Sequence, residues 1–341
     1  MKTVKIKFVG FWNGFESEPN LVYDILKKHY DVKITDDADY IICSMFGIPY
    51  EYCSYPQVRI MFSGENYIPD FNLVDYALCP YPISFLDRCC YAPVCLNNID
   101  KSEKMLNKDR NYSADFLKTK EYFANFIVGH ESENCIRGDF FKKLSEYKRV
   151  ESPGSYLNNM HGGQTVSFLN DSKISFQKKC KFTICFESTK HEGFVTEKIT
   201  DAFLSDTIPI YYGSSTVTDI FNSKAFINCN DYSNFDEVIK KIIELDNDDE
   251  KYLEMLRQPI FVDADYVKNI QTGIEKFVLS IFDQPLDAVY RRSRIYSPNR
   301  HEMFLNKWLE RERRLIKIKG SAIKILNKFK IFDFILKIVF K

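Results

Sequence analysis

One stretch of this chain, residues 182–213, changes its hydrophobic period twice within a short distance. It reads FTICFESTKHEGFVTEKITDAFLSDTIPIYYG. Apolar residues at every second position of 182–186 predict a β-strand. A polar loop follows, and Thr196 is a candidate N-cap for an amphipathic helix that begins there. Residues 208–212 then read as a second strand, so the stretch predicts a strand–helix–strand unit of a parallel α/β sheet.

Charged residues stand at the two positions of this unit where ligands usually bind. Glu187 follows the first strand directly, and Glu197 and Lys198 fall in the first helical turn. Such units bind ligands beyond the carboxyl ends of their strands, where a helix N-terminus attracts phosphate. Lys198 adds a full positive charge, and Glu197 offers a hydrogen-bond acceptor for sugar hydroxyls. The same dipeptide is also common surface decoration, so by itself it does not establish a site.

The whole stretch resembles the signature of the α1,3/4-fucosyltransferases, glycosyltransferase family 10. These enzymes move L-fucose from GDP-fucose to N-acetylglucosamine or glucose units of glycans. Further blocks resemble bacterial members of the family in the same order: FSGENYIPDFNLVDY at 62–76, FIVGH and CIRGDFF within 125–159, and segments within 225–237. The resemblance spans residues 2–260.

The predicted elements fall into two α/β series, and the resemblance implies that these are the facing Rossmann-like domains of the GT-B architecture. We expect an acceptor-binding domain at residues 1–117 and a GDP-fucose-binding domain at 118–290. A connecting helical segment is expected at 291–312, and a basic amphipathic helix at 313–341. Strand order cannot be read from one sequence, so the GT-B label rests on the resemblance.

The resemblance implies one catalytic residue, Glu65 in the GEN element. A single-displacement transfer with inversion needs a base that removes the proton of the acceptor hydroxyl. Glu65 lies just beyond the predicted strand 58–62, where α/β proteins place catalytic residues. Without the resemblance, Glu65 would read as an exposed glutamate in a turn.

Donor-binding residues also follow from the resemblance. Arg137 and Lys198 are expected to stabilise the departing GDP, and a guanidinium offers forked donors to phosphate oxygens. Glu197 is expected to contact ribose or fucose hydroxyls. Glu187 either binds the donor or orients its neighbours, and the sequence leaves both roles open.

Two donor-binding positions depart from the family pattern. Ser188 replaces the asparagine of the family's FEN element, and Phe194 replaces the tyrosine that precedes VTEK. Each exchange loses polar reach, because serine lacks the amide and phenylalanine lacks the hydroxyl. We expect donor contacts at both positions to be rearranged or bridged by water.

No metal site is predicted. The five histidines are scattered, no CxxC pair occurs, and the ten cysteines are expected to be reduced. The Asp37–Asp39 triplet resembles a DxD metal motif but is expected to be a solvated turn. GDP-fucose is the expected donor substrate, with no required cofactor and Mn²⁺ or Mg²⁺ at most a non-essential ion.

The C-terminal segment carries a charge asymmetry. Residues 313–341 hold nine Lys or Arg against the single Asp333, whereas the formal charge of the whole chain is zero. Apolar residues recur at spacings of three and four between the lysines, which predicts a basic amphipathic helix. Lysines interrupt every apolar run, so the segment is a poor transmembrane span. We expect it to lie on an anionic membrane surface, with a coiled coil as the alternative.

These features predict a cytoplasmic enzyme on the inner face of the cytoplasmic membrane, since residues 1–10 read as a strand and not as a signal peptide. The expected reaction is inverting transfer of L-fucose from GDP-fucose to the 3-hydroxyl of GlcNAc or Glc in a lactosamine-type glycan of a bacterial surface polysaccharide, as in Lewis-antigen synthesis. Alternatives are transfer from another GDP-sugar and a catalytically silent nucleotide-sugar or glycan-binding module. No nucleic-acid partner is expected, and a homodimer is left open.

Overall fold

The computed structural model describes residues 1–130, 136–167 and 172–328. Two fully parallel sheets of six and five strands organise this part of the chain, which confirms the predicted two-sheet α/β class. The elements of the first series are β1 (Thr3–Val9), α1 (Leu21–His29), β2 (Asp31–Ile34), β3 (Tyr40–Cys43), β4 (Val58–Phe62), β5 (Tyr76–Cys79), β6 (Cys89–Tyr91) and α2 (Ile99–Leu106).

The second series and the C-terminal helices complete the described chain. Their elements are β7 (Tyr122–Asn125), α3 (Ile136–Ser145), β8 (Val150–Glu151), α4 (Ser172–Gln177), β9 (Cys180–Phe186), α5 (Glu197–Leu204), β10 (Ile208–Tyr212), α6 (Val217–Ile220), β11 (Ile227–Asn228), α7 (Phe235–Asp246), α8 (Asp249–Arg257), α9 (Ala264–Phe282) and α10 (Tyr296–Lys328).

The first sheet has the strand order β2-β1-β3-β4-β5-β6. Strands β3 and β5 are buried along their whole length, and Ile42 of β3 lies beside Ile60 of β4. Runs of apolar residues are typical of parallel strands that are covered on both faces. The loops that follow β1, β3 and β4 therefore emerge at one edge of this sheet, and Glu65 is on the third of them.

The second sheet has the order β11-β10-β9-β7-β8. All residues from Phe182 to Phe186 are buried in β9, although their pattern alternates. The alternation separates two cores, since Phe182, Ile184 and Phe186 join one hydrophobic cluster and Cys185 joins another. The next two strands of the chain, β8 and β9, lie on opposite sides of β7. The strand order therefore reverses beside β7, and α/β sheets bind ligands at such topological switch points.

Helix α9 packs on the first sheet, although the predicted second domain, residues 118–290, includes it. Its buried residues Ile274, Val278 and Ile281 share a hydrophobic cluster with Leu26 of α1. The reason is its apolar stripe, which covers a face that the first series of helices leaves open. The chain thus returns to its first half after completing the second sheet.

Helix α10 joins the predicted connecting segment to the start of the predicted basic tail without a break at residue 313. Leu305 and Leu309 are buried in the first half. Glu302 accepts a hydrogen bond of 2.5 Å from Arg59, a guanidinium of β4 with no exposed surface. No helix in the described ranges has a stretch apolar and long enough to span a bilayer. Residues 329–341 of the predicted tail lie outside the described residues.

The acidic turn before β3 is solvated, as predicted. The side chain of Asp37 is 90% exposed and pairs with Lys5 at 2.8 Å, and Asp36 pairs with Lys7 at 2.7 Å. The nine cysteines within the described residues carry free thiols.

Candidate active site

A buried carboxylate organises the edge of the second sheet. The side chain of Glu187 has no exposed surface. Its Oε1 accepts hydrogen bonds from the Thr196 amide at 2.8 Å and the Thr196 hydroxyl at 3.0 Å, and its Oε2 accepts from Lys198 at 3.0 Å. The sequence left open whether Glu187 binds a ligand or orients its neighbours, and in the structure its carboxylate contacts the residues that begin α5.

Thr196 occupies the N-cap position of α5, as predicted. Its side chain accepts no hydrogen bond from a backbone amide of the first turn. Its hydroxyl instead donates to Glu187, because a buried carboxylate requires more donors than the backbone alone supplies at this position. The Thr196 hydroxyl therefore does not satisfy the backbone N–H groups in the first turn of α5.

Gly213 makes room for this carboxylate. A Cβ atom at Gly213 would lie 2.7 Å from Cγ of Glu187 and 2.6 Å from the hydroxyl oxygen of Tyr211. Any larger residue would therefore push Glu187 away from Thr196 and Lys198. The glycine that closes the predicted strand–helix–strand unit has a steric role at the site.

Lys198 is held as a cation in the first turn of α5. Burial opposes its charge, but the carboxylates of Glu187 and Glu197 outweigh burial and raise the pKa of Lys198 above its ordinary value. The ammonium group has three N–H donors. Glu187 and the Thr196 hydroxyl each take one at 3.0 Å, so one donor remains for a ligand. The side chain is 25% exposed.

Glu197 is an anion at neutral pH. Its surroundings partly desolvate it, although its side chain is 49% exposed. Lys198 first, and then Lys173, outweigh this desolvation and lower the pKa of Glu197 to about 2. An ionised carboxylate at this position accepts hydrogen bonds from hydroxyl groups, which is the role expected from the resemblance.

The sequence reading missed a buried ion cluster behind α5. Asp201 accepts from Lys101 of α2 at 2.6 Å and from Lys173 of α4 at 2.8 Å. These lysines lie 100 and 28 residues from Asp201 along the chain, so no local pattern connects them. The cluster fixes α5 against both halves and adds positive potential near Glu197.

Arg137 stands in the first turn of α3, and its side chain is buried. It donates a hydrogen bond of 2.7 Å to the carbonyl of His130, the residue that precedes the undescribed segment 131–135. Its charge is close enough to Lys198 to oppose the protonation of that amine. The structure thus brings together the two cations that the sequence predicted for one anion site.

Ser188 and Phe194 occupy different environments. Ser188 is exposed on the loop after β9. Phe194 is 2% exposed, and its ring stacks on Tyr81 of the first half at a centroid distance of 5.9 Å. The contact that the structure gives Phe194 is packing between the two halves, and its donor contact stays a prediction.

Glu65 is exposed on the loop that follows β4. Its amide donates to the hydroxyl of the buried Ser63 at 3.2 Å. Next to it, Asn66 accepts a hydrogen bond from the Tyr81 hydroxyl. Since Tyr81 also touches Phe194, the loop that bears Glu65 is connected to the loop that leads into α5.

Two further contacts join the loop before α5 to the first half. A Cβ atom at Gly193 would lie 2.3 Å from Cδ of Pro82, so these backbones approach as closely as glycine allows. The amide of Cys95 donates to the carbonyl of Val195 at 3.1 Å. The carboxyl edges of the two sheets therefore meet, with an acidic loop on one side and a cationic helix start on the other.

Metal ligation has no support in the described ranges, where no group of three or more His, Cys, Asp or Glu side chains could hold an ion. The charge available to balance an anionic ligand is that of Lys198, Arg137 and the N-terminal turn of α5.

The fold and the site define a nucleotide-sugar glycosyltransferase of the GT-B class. Two family profiles match the chain: the alpha-(1,3)-fucosyltransferase FucT N-terminal domain at residues 6–97, and the glycosyltransferase family 10 (fucosyltransferase) C-terminal region at 117–260. The chain belongs to glycosyltransferase family 10, as its motifs indicated.

Individual relatives agree with the family. The chain is 30% identical over 290 residues to alpha-(1,3)-fucosyltransferase FucT of Helicobacter pylori, a match that covers 74% of this chain and 59% of that protein. It is 26% identical over 143 residues to human 4-galactosyl-N-acetylglucosaminide 3-alpha-L-fucosyltransferase 9, which covers 40% of this chain and 37% of that protein.

A crystal structure of an alpha1,3-fucosyltransferase with GDP-fucose is similar in fold. It superimposes with a TM-score of 0.64 at 27% identity and covers 82% of this chain and 91% of that one. The two-domain GT-B architecture predicted from the resemblance is thereby confirmed.

The substitution Glu187→Gln tests the buried carboxylate. The amide cannot balance the Lys198 charge and places an N–H₂ group against existing donors, so we expect the free energy of unfolding to fall by about 3 kcal/mol. Urea denaturation measures the change. Glu192→Gln is the matched control, because Glu192 lies on the same loop, is exposed and accepts its hydrogen bonds from the Ser215 hydroxyl. Equal stability of the two variants would contradict the role of Glu187.

Proposed function

We propose that this protein transfers L-fucose from GDP-fucose to a hydroxyl of a glycan, with inversion at the fucose C1 atom. The observation that carries this proposal is the cation Lys198, fixed by the buried Glu187 in the first turn of α5. The loop that leads into α5 contacts the loop of Glu65 through Phe194 and Tyr81. Membership of family 10 and the similarity to a GDP-fucose complex support the choice of donor.

The charges of the site match the needs of the reaction. As the bond between C1 and the diphosphate oxygen breaks, negative charge collects on GDP, and Lys198, Arg137 and the free N–H groups of α5 stabilise it. Glu65 accepts the proton of the acceptor hydroxyl while that oxygen forms the new bond to C1. Glu197, ionised at neutral pH, is placed to bind donor hydroxyls.

The acceptor is proposed to bind on the loops after β1, β3 and β4. These loops expose apolar side chains at the same sheet edge as Glu65: Trp12 is 42%, Met45 40%, Tyr50 42% and Ile68 65% exposed. Trp12 is held by ring contacts to Phe11, Phe15 and Phe46 at 5.0–6.0 Å. Fixed aromatic rings suit the apolar face of a sugar, which favours a glycan acceptor. The name of the human relative supports the 3-hydroxyl of N-acetylglucosamine in a lactosamine-type unit.

The cellular setting is also a proposal. The exposed apolar side chains Leu315, Ile316 and Ile318 begin the basic segment 313–341, and Lys317 and Lys319 lie among them. Such a surface favours binding to anionic lipid. We place the protein on the inner face of the cytoplasmic membrane, where it would modify lipid-linked precursors of a surface polysaccharide with Lewis-type fucose.

An assay with purified protein tests the reaction itself. GDP-fucose or GDP-mannose is supplied with N-acetyllactosamine, and GDP release and glycan mass are measured. Fucosylated product from GDP-fucose alone supports the proposal. Product from GDP-mannose would assign another donor, and GDP-fucose binding without any product would assign a silent binding module.

Glu65→Gln tests the base. The amide keeps the size of the side chain but cannot accept the proton, so we expect turnover to fall about 10²- to 10⁴-fold. The dissociation constant of GDP, measured by calorimetry, should stay unchanged. Glu103→Gln, an exposed glutamate on α2, is the control. Near-normal turnover of Glu65→Gln would remove Glu65 from this role.

Trp12→Ala tests the acceptor surface. Loss of the ring should raise the KM for the glycan about tenfold, equivalent to about 1.4 kcal/mol, and leave the KM for GDP-fucose unchanged. Phe304→Ala, which removes an exposed ring on α10, should change neither constant. An unchanged glycan KM in Trp12→Ala would place the acceptor elsewhere.

Truncation after Arg313 tests the membrane segment. The shortened chain keeps the Arg313–Glu51 ion pair and the buried Leu305 and Leu309, so it should stay folded and active in solution. It should no longer sediment with anionic lipid vesicles. In the full chain, charge reversal by Lys317→Glu and Lys319→Glu should weaken vesicle binding roughly tenfold or more. Truncation that halves the particle mass in solution without changing vesicle binding would favour the coiled-coil alternative.

A further inference from the structure

A path of contacts runs from the loop of Glu65 to the first residue of α5. The Tyr81 hydroxyl donates to Oδ1 of Asn66, the neighbour of Glu65. The Tyr81 ring stacks on Phe194 with an interplanar angle of 26°. Phe194 is followed by Val195 and by Thr196, the N-cap residue of α5. Tyr81 lies 15 residues from Asn66 along the chain, and its contact with Phe194 crosses from the first half to the second.

Packing and hydrogen bonds restrain both ends of the path. Tyr81 is 8% exposed and Phe194 is 2% exposed, and both belong to a small hydrophobic cluster with Cys79, flanked by Val94. Val195 is tied to Cys95 through its carbonyl, and Thr196 is tied to Glu187. On the other side, the Glu65 amide is bound to Ser63. Burial raises the pKa of the Tyr81 hydroxyl, which therefore stays protonated and able to donate.

The exposed residues 64–66 have few other restraints. Gly64, Glu65 and Asn66 are all exposed, and a Cβ atom at Gly64 would meet only Val94 at 3.5 Å or beyond. Residues that depend on so few contacts sample several positions. A general base has to lie within hydrogen-bond reach of the acceptor hydroxyl, and a displacement of about 1 Å can reduce turnover about 10²-fold.

We propose that Tyr81 is a positioning residue that fixes the Glu65 loop relative to the start of α5 and so sets the distance between the base and the donor. This inference rests on the proposed function, in which Glu65 is the base. Packing against Phe194 fixes the position of the Tyr81 ring. The Tyr81 hydroxyl then restrains Asn66 through its hydrogen bond. Contact with Tyr81 thus gives the buried Phe194 a role that a donor contact would not explain.

The central variant is Tyr81→Phe, which keeps the ring and its packing and removes only the hydrogen bond to Asn66. We expect kcat to fall about tenfold or more, with the GDP dissociation constant within twofold of the wild type. Asn66→Ala should give the same loss, and the double variant no further loss, because both remove one bond. The control is Tyr30→Phe, which removes a comparable bond to Asp283 of 2.6 Å at the amino edge of the first sheet and should leave kcat unchanged.

The Glu65→Gln background separates positioning from general structure. If Tyr81 acts through Glu65, Tyr81→Phe causes no additional loss of turnover in that background. A full additional loss there, or a kcat within twofold of wild type in Tyr81→Phe alone, overturns the inference. Failure of the proposed function is a different result: the wild type would not transfer from GDP-fucose, or Glu65→Gln would retain normal turnover.

A second arm examines the ring. Phe194→Leu keeps an apolar side chain of similar volume but removes the stack, so Tyr81 loses its fixed orientation. We expect kcat to fall as in Tyr81→Phe and thermal stability to drop modestly, since the site remains filled. A fall in stability with unchanged kcat would show that the stack serves packing alone and would contradict the proposed path.

Discussion

The site depends on the ion pair between Lys198 and Glu187, whose carboxylate side chain has no exposed surface. A buried carboxylate is unfavourable unless charged and polar donors surround it, and Thr196 and Lys198 supply those donors. The same bonds fix the residues that begin α5 and keep Lys198 charged. A ligand therefore meets a cation that is already in place and pays no ordering entropy for it.

Much of the fold follows from local patterns. The strands at 58–62 and 208–212 coincide with their predicted limits, and the side chain of Asn20 caps the start of α1. Each has a strong apolar period or a capping residue of its own. The position of α9 could not be predicted in this way, because its amphipathic period shows that it packs but not against which sheet.

The site residues also divide into those that local patterns indicate and those that depend on tertiary packing. Four site residues could be predicted because they stand at strand ends and helix starts, where a motif marks them: Glu187, Glu197, Lys198 and Arg137. Lys173 and Asp201 could not be found, since their pairing is created by the approach of α4 to α5. For Phe194 the motif indicated a position but not an environment: the aromatic character that the family retains there is used, in this chain, for contact with Tyr81.

The return of α9 and α10 to the first sheet has a consequence for how the chain is made. The core that contains Phe182 and Ile184 of the second sheet is contiguous in sequence, from β7 to α8, and can form as soon as this part leaves the ribosome. The first half is synthesised earlier but lacks Ile274, Val278 and Leu309 until almost the whole polypeptide has emerged. Maturation during translation thus runs against the order of synthesis, and the half that bears Glu65 is the last to consolidate.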